Sequence, residues 1–214
     1  MSKLVTIVDY GIGNIFSVTR AFQHCGAEVL LTDKPRHILA ATSLVLPGVG
    51  AFSNGMNGLR ERDLIEPLRE YAASGKPLLG ICLGMQMLFT GSTEFGEHSG
   101  MNIIEGKILP IEPLGAEGMP LKVPHIGWSE LMRPVDGPEW EGSILKYVNG
   151  HEHCYFVHSL TAVPDDERHR LADTYYGSSR ISAAVAKGNV YGCQFHPEKS
   201  GATGLKIIKG FLEI

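Results

Sequence analysis

The stretch Pro77–Phe89, PLLGICLGMQMLF, places one cysteine between two glycines in an otherwise apolar context. Its first residues, Pro77–Ile81, predict a buried strand that runs directly into Cys82. If the chain turns sharply into a helix there, the cysteine lies at a strained apex, and Gly80 and Gly84 remove Cβ atoms that would clash. Gly-x-Cys-x-Gly has the form of a nucleophile elbow with cysteine in place of serine. The same pattern also fits a buried cysteine in an ordinary turn, so the stretch alone leaves both interpretations open.

Short strands and helices alternate along the first half of the chain. Apolar segments predict strands at Leu4–Val8, Glu28–Leu31 and Ser43–Leu46. The segments between them predict helices at Ile15–Cys25 and Pro35–Ala41. Buried strands that alternate with helices indicate a parallel sheet covered on both faces.

The second half of the chain has a different pattern. Proline and glycine are frequent from Gly106 to Gly142, which predicts short, irregular strands. Ile181–Ala186 and Val190–His196 flank a Lys-Gly-Asn turn and predict a β-hairpin, and a helix is expected at Thr203–Leu212. We therefore expect one α/β domain over residues 1–214, with a mostly parallel central sheet and antiparallel additions.

Composition narrows the class of protein. The chain has 214 residues, 43% of them hydrophobic, and a net charge of −4, which argues against binding to nucleic acid. It contains no apolar run of the roughly 18 residues that a membrane span needs. The N-terminus does not resemble a signal peptide, and the cysteines (Cys25, Cys82, Cys154, Cys193) lack the density of a disulfide scaffold. We therefore expect a cytoplasmic protein.

A nucleophilic cysteine needs a base, and the base needs an orienting group. His196 ends an apolar segment and is followed by Pro197 and Glu198, so the carboxylate of Glu198 could hold the imidazole. His158 also ends an apolar segment but has no nearby acid, so it ranks second, as a pocket-wall or structural histidine. The segment His151–Cys154 resembles a metal cluster, but no second cluster supplies further ligands, and we expect no metal.

Two glycine-rich loops follow predicted strands. Gly11–Asn14 has Phe16 where a dinucleotide-binding loop would have its third glycine, so we expect no nicotinamide cofactor. Pro47–Gly50, PGVG, could donate a hydrogen bond to an oxyanion formed at Cys82, or it could be a plain turn.

PGVG, GICLGMQ and QFHPEKS occur in this order and spacing, and together they resemble the class I (triad) glutamine amidotransferases over nearly the whole chain. VPHIGWSEL, YFVHSL and DYGIGNIFSV narrow the resemblance to the glutaminase subunits of imidazole glycerol phosphate synthase in histidine biosynthesis. The resemblance implies a three-layer, flavodoxin-like fold.

The resemblance also implies roles for individual residues. Cys82 would attack the glutamine side-chain amide, His196 would act as base and acid, and Glu198 would orient His196. The oxyanion would be stabilised by Val49, Gly50 and Leu83. The amino-acid end of the substrate would be bound by Gly48, Gln86, Ser159 and Leu160. No cofactor is implied.

In this family the face with His125, Trp128, Tyr155 and Lys199 meets a (β/α)₈-barrel cyclase, which receives the ammonia within a heterodimer. Two residues depart from the family pattern: Ser129 replaces the usual Asn, and Leu160 replaces the usual aromatic residue. Both lie near substrate or partner, so a paralogous subunit that serves a sugar amidotransferase of surface polysaccharide synthesis remains an alternative. A cysteine peptidase-like enzyme and a non-catalytic binding module are further alternatives.

Overall fold

The computed structural model describes residues 2–115 and 118–214. The strands are β1 (Leu4–Val8), β2 (Glu28–Thr32), β3 (Leu44–Gly48), β4 (Leu78–Cys82), β5 (Phe89–Ser92), β6 (His98–Ser99), β7 (Ile104–Pro110), β8 (His125–Glu130), β9 (His153–His158), β10 (Leu160–Pro164), β11 (Arg170–Tyr176), β12 (Ser179–Lys187) and β13 (Val190–Cys193). The helices are α1 (Ile15–His24), α2 (Pro35–Ala40), α3 (Phe52–Arg60), α4 (Ile65–Ala73), α5 (Leu83–Met87) and α6 (Gly201–Leu212).

The central sheet has seven strands in the order β11-β12-β13-β4-β3-β1-β2. The run from β13 to β2 is parallel, while β12 and β11 add antiparallel strands at one edge. Two separate apolar clusters cover its two faces: one includes Phe22 of α1 and Phe211 of α6, and the other includes Leu59 of α3 and Leu68 of α4. This is the three-layer α/β architecture predicted from the sequence, and the prediction of fold class is confirmed.

Local sequence explains how the first helix begins and ends. The side chain of Asn14 accepts a hydrogen bond from the Ser17 N–H and caps the N-terminus of α1. Gly26 ends the helix with a φ of +87°, a conformation that favours glycine. The predicted buried face packs as expected, since the rings of Phe22 and Phe211 meet edge to face at 6.1 Å.

The remaining strands form two smaller sheets. One has four strands in the order β10-β7-β5-β6, and the other is the antiparallel pair β8–β9. The predicted hairpin is the antiparallel pair β12–β13. Within residues 2–115 and 118–214, no helix is both long enough and apolar enough to cross a membrane.

The hairpin differs from the prediction at its end, because β13 stops at Cys193 and does not reach His196. The N–H of Gln194 still bonds to the Ala183 carbonyl of β12, but the N–H of His196 bonds to the Tyr155 carbonyl of β9. The chain therefore leaves the central sheet between these residues and carries His196 over the carboxyl ends of the parallel strands. Ligands of open α/β sheets bind at such strand ends.

Candidate active site

Cys82 forms the turn between β4 and α5. Its φ of +53° and ψ of −110° lie in a region that a residue with a side chain rarely adopts. The surrounding structure must hold this conformation in place, since such strain costs on the order of 1–3 kcal/mol. The side chain is 8% exposed and lies at the crevice formed by the strand ends. The strained apex predicted from the sequence is present.

The two glycines beside Cys82 allow α5 to pack against the sheet. A Cβ atom at Gly84 would overlap the main-chain oxygen of Leu46, and one at Gly80 would lie 2.7 Å from the Met85 nitrogen. Both clashes involve main-chain atoms, which cannot rotate away as a flexible side chain could. The predicted reason for the glycines is therefore confirmed.

His196 and Glu198 form a buried pair. Nδ1 of His196 lies 2.8 Å from Oε1 of Glu198, and the two side chains are 2% and 1% exposed. Burial by itself would lower the pKa of His196, but the adjacent Cys82 sulfur in its thiolate form and the Glu198 carboxylate outweigh burial and raise that pKa to about 9. With Nδ1 bound to Glu198, Nε2 is the nitrogen left for exchange of a proton with sulfur.

Gln194 is a site residue that the sequence analysis missed. Its fully buried side chain accepts a hydrogen bond from Gln86 Nε2 at 3.0 Å and donates from its own Nε2 to the Cys82 sulfur at 3.7 Å. Its position inside the apolar segment VYGCQF was the available signal, since a buried amide must find partners. Gln194 thus connects Cys82 to Gln86.

Main-chain N–H groups surround the nucleophile. Gly48 lies directly opposite Cys82 in the β3–β4 register, so the PGVG loop starts beside the thiol. Over the described ranges, Val49 and Gly50 donate no hydrogen bond from their N–H groups. Leu83 is the first residue of α5, where a helix leaves its N–H without an internal acceptor. These are the residues from which the sequence predicted an oxyanion site.

The PGVG loop is anchored at its far end by Glu94, which the sequence analysis did not single out. Oε2 of Glu94 accepts a hydrogen bond of 2.6 Å from the N–H of Phe52, the first residue of α3. A carboxylate is favourable at a helix N-terminus because of the helix dipole. The loop between Gly48 and Phe52 is therefore fixed at both ends.

The expected substrate residues fall into two groups. Gly48 and Gln86 belong to the nucleophile region, where Gln86 is only 4% exposed. Ser159 and Leu160 join β9 to β10, and their carbonyls accept hydrogen bonds from the Ile111 N–H at 3.0 Å and from His158 Nδ1 at 2.7 Å. The carbonyls of this second segment are already engaged within the protein.

His158 has a structural environment. Its Nδ1–H donates to the Leu160 carbonyl, which leaves Nε2 to accept from Nδ1 of His125 at 2.9 Å. Burial, together with the nearby imidazoles of His125 and His196, lowers the pKa of His158 to about 4 although the Leu160 bond opposes this. Both nitrogens are occupied and the ring is neutral, in agreement with its second rank as a base.

Three of the four expected interface residues are accessible, and one is not. Trp128 is 56% exposed and lies opposite the half-buried Tyr155 in the β8–β9 register, while Lys199 is exposed on the turn after His196. His125 is only 2% exposed, so its placement on this face was wrong. Side chains alternate along a strand, and positions 125 and 128 therefore point to opposite faces.

The segment His151–Cys154 does not bring its side chains together. His151 pairs with Glu130, and Cys154 is buried in β9, where burial raises its pKa to about 12. Among residues 2–115 and 118–214, no group of three or more potential His, Cys, Asp or Glu ligands is close enough to hold a metal ion.

Known proteins resemble this chain in sequence and in fold. The family model for class-I glutamine amidotransferases matches residues 6–214. The chain is 52% identical to imidazole glycerol phosphate synthase subunit HisH 1 of Legionella pneumophila (strain Paris), over 98% of this chain and 99% of that protein. It is 44% identical to subunit HisH of Lactococcus lactis subsp. lactis (strain IL1403), over 99% and 98%. A solved glutamine amidotransferase has a similar fold, with a TM-score of 0.72 at 19% identity over 98% of this chain and 99% of that one.

Proposed function

Because the chain belongs to the class-I glutamine amidotransferases, and within them to the HisH subunits of imidazole glycerol phosphate synthase, we propose that Cys82, His196 and Glu198 are its catalytic triad for glutamine hydrolysis. The observation that carries this assignment is the strained, buried cysteine beside an imidazole that Glu198 holds at 2.8 Å. This arrangement of nucleophile, base and orienting group is that of covalent acyl transfer.

The reaction begins when the Cys82 sulfur attacks the side-chain amide carbon of glutamine. His196 holds the thiol proton and passes it to the departing nitrogen, so the C–N bond breaks and ammonia leaves. A γ-glutamyl thioester remains on Cys82. His196 then takes a proton from water, which attacks the thioester and releases glutamate and the thiol. Glu198 stabilises the imidazolium formed in each half of the cycle.

The negative charge of each tetrahedral intermediate lies on the former carbonyl oxygen. We assign its stabilisation to the main-chain N–H groups of Val49, Gly50 and Leu83. The N–H groups of the PGVG loop, which have no acceptor among the residues that the structure describes, and the first N–H of α5 support this assignment. Loss of one such donor typically costs about 10²–10³ in kcat.

The amino-acid end of glutamine is assigned to Gly48, Gln86, Ser159 and Leu160. Gln194 supports this site, because it fixes the amide of Gln86 and the sulfur of Cys82 relative to each other. In this assignment the carbonyls of Ser159 and Leu160 accept hydrogen bonds from within the protein. The other main-chain groups of that segment are therefore available to bind the substrate.

As a HisH-type subunit, the chain works with a second subunit of the synthase. We assign that role to a (β/α)₈-barrel cyclase in a heterodimer, which receives the ammonia and forms imidazole glycerol phosphate and an aminoimidazole carboxamide ribotide. The exposed face with Trp128, Tyr155 and Lys199 supports the contact, and His125 lies beneath it. In this proposal residues 1–214 form one amidotransferase domain. Its catalytic thiol requires a reducing compartment, for which we propose the cytoplasm.

The alternative of a sugar amidotransferase subunit depended on Ser129 and Leu160. Ser129 donates its hydroxyl to His125 Nε2 at 2.9 Å, and the Leu160 carbonyl is bound by His158. Both residues therefore belong to a hydrogen-bonded network of this protein. Identities of 52% and 44% over nearly full length favour the histidine-pathway partner.

The test compares two cysteine variants of the full chain with the cyclase subunit present. Cys82→Ala should abolish formation of glutamate and ammonia, and an electrophilic glutamine analogue should no longer label the protein. Cys25→Ala is the matched control, since it removes a half-buried thiol whose hydrogen bond goes to the Leu205 carbonyl, in α6. Glutamine hydrolysis by Cys82→Ala at the wild-type rate would contradict the proposal.

A further inference from the structure

The hydroxyl group of Tyr10 is buried in the protein core. The residue is 1% exposed, and its Oη makes no hydrogen bond to any part of the chain that the structure describes. An unsatisfied hydroxyl in a protein core is destabilising, because the group loses its hydrogen bonds to water on folding and gains none in exchange. A phenylalanine would fill the same space without this cost, so the hydroxyl calls for an explanation.

The hydroxyl lies where the PGVG loop meets the nucleophile's helix. Tyr10 follows β1, and its side chain belongs to the apolar cluster that also contains Leu46 of β3. A Cβ atom at Gly48 would overlap the Tyr10 Oη and would lie 3.0 Å from Cβ of Leu83. The phenol thus occupies the place of a side chain at Gly48, the residue directly opposite Cys82.

The charge state of Tyr10 suits a hydrogen-bond donor. Burial raises the pKa of its phenol, and the nearby charge of Cys82 raises it further. The group therefore keeps its proton at neutral pH and lies within electrostatic reach of the nucleophile.

The middle of the PGVG loop is less firmly held than its two ends. It is held at Gly48 by the β3–β4 pairing and at Phe52 by Glu94. Between these points Val49 is 39% exposed, and the N–H groups at 49 and 50 have no acceptor within ranges 2–115 and 118–214. An oxyanion site needs these donors fixed before the charge forms.

We propose that Tyr10 is a positioning residue for the oxyanion site: in the reacting enzyme its hydroxyl donates a hydrogen bond to the main-chain carbonyl of Gly48. The C=O and N–H of one trans peptide point in opposite directions. Holding the Gly48 carbonyl toward the core therefore turns the Val49 N–H toward the crevice at Cys82. The inference rests on the proposed glutaminase function and adds a residue that acts through the loop.

The experiment compares Tyr10→Phe with Tyr71→Phe in the full chain assembled with its synthase partner. Tyr71 is also 1% exposed and belongs to the same apolar cluster, but its hydroxyl donates to the Pro77 carbonyl at 3.1 Å. Steady-state glutamine hydrolysis, the rate of Cys82 alkylation by iodoacetamide and the unfolding midpoint are measured for each variant.

Tyr10→Phe should lower kcat by about tenfold, with KM and the alkylation rate within about twofold of wild type, because alkylation forms no oxyanion. Its unfolding midpoint should be unchanged or higher, since an unsatisfied hydroxyl is removed. Tyr71→Phe should show the reverse: a lower midpoint with kcat retained.

Wild-type kcat in Tyr10→Phe would overturn the inference, because the hydroxyl would then have no role in the reaction. A parallel loss of kcat and alkylation would also overturn it, since the hydroxyl would then act on the thiol. Failure of the proposed function is a different result, in which the wild-type assembly itself hydrolyses no glutamine.

Discussion

Two opposing effects determine the pKa of His196. Burial favours its neutral form, while the Cys82 thiolate and the Glu198 carboxylate favour the imidazolium and raise its pKa to about 9 from an ordinary value of 6.5. A base that is protonated in the resting enzyme has already taken up the proton that must reach the leaving nitrogen. Glu198 therefore affects the protonation of His196 as well as the orientation of its ring.

This shift links folding stability to pH. The folded-state pKa of His196 lies above the unfolded value, so its contribution is complete below about pH 6.5 and is lost as pH rises through about 9. The free energy of unfolding of the wild type should fall by about 1–3 kcal/mol over this window. In Glu198→Gln the pKa of His196 should be lower, and the decline should flatten. Urea unfolding between pH 6 and 9.5 measures both.

Glu105→Gln is the control for this experiment. Glu105 is a surface carboxylate bound to Lys187, and its lowered pKa affects stability only in acid. The free energy of unfolding of Glu105→Gln should decline between pH 6.5 and 9 as much as that of the wild type. If Glu198→Gln also declined like the wild type, Glu198 would not control the proton on His196.

At the residue scale, the sequence predicts side chains with distinctive chemistry and misses those defined by burial. Cys82, His196 and Glu198 stand out because their types and order match a known mechanism. Gln194, Glu94 and Tyr10 do not, because their roles depend on which atoms lie opposite them in the fold. No local pattern gives the distance from Tyr10 to Gly48, because Tyr10 follows β1 and Gly48 ends β3.

At the element scale, helices and strands of the parallel sheet form close to the predicted positions. The strand predicted at Ser43–Leu46 is observed at Leu44–Gly48, and α6 begins at Gly201 where Thr203 was expected. Hydrophobic patterning determines these elements because each buries an apolar face. The strand order and the separate β8–β9 sheet depend on long-range pairing, which periodicity does not report.

The turn at Cys82 depends on close packing of α5 against β3. Gly84→Ala should destabilise the protein by more than about 3 kcal/mol or prevent folding, because its Cβ would overlap the Leu46 main-chain oxygen. Gly75→Ala is the matched control: it has a φ of +77° but no atom within 4 Å of the added Cβ, so it should cost about 1 kcal/mol.

Urea unfolding and soluble yield compare the two variants. Because Gly84→Ala can fail to fold altogether, its yield relative to Gly75→Ala is itself a measurement. Equal stability of the two would show that α5 can shift away from β3, and that close packing at Gly84 does not hold the elbow.

At the scale of the whole molecule, a hydrogen-bond network joins the β8–β9 sheet to the candidate substrate segment. Ser129 donates to His125, His125 donates to His158, and His158 donates to the Leu160 carbonyl. The His125 ring also stacks between Phe156 and Tyr176, with centroids 5.2 Å and 4.3 Å away. His125 and His158 thus fix the β8–β9 sheet relative to the segment that follows β9.

The outer face of the β8–β9 sheet carries exposed apolar side chains. Ile126 and Trp128 are 59% and 56% exposed on β8, and exposed apolar surface of this kind marks interaction sites. Trp128→Ala should weaken association with the proposed cyclase subunit by about 10–100-fold, since buried tryptophans dominate interface energies. Its unfolding midpoint should stay near wild type, because the side chain is largely exposed in the isolated chain. Titration calorimetry of the two subunits measures the affinity.

Leu31→Ala separates a specific interface from a general loss of apolar surface. Leu31 is 45% exposed on β2, the edge strand opposite β11, whereas β8 packs beside β11. This variant should bind the cyclase with wild-type affinity. At saturating cyclase, Trp128→Ala should regain glutamine hydrolysis, because the triad does not depend on the indole. Equal losses of affinity in the two variants would place the contact elsewhere on the molecule, and the β8–β9 sheet would then serve only to support the substrate segment.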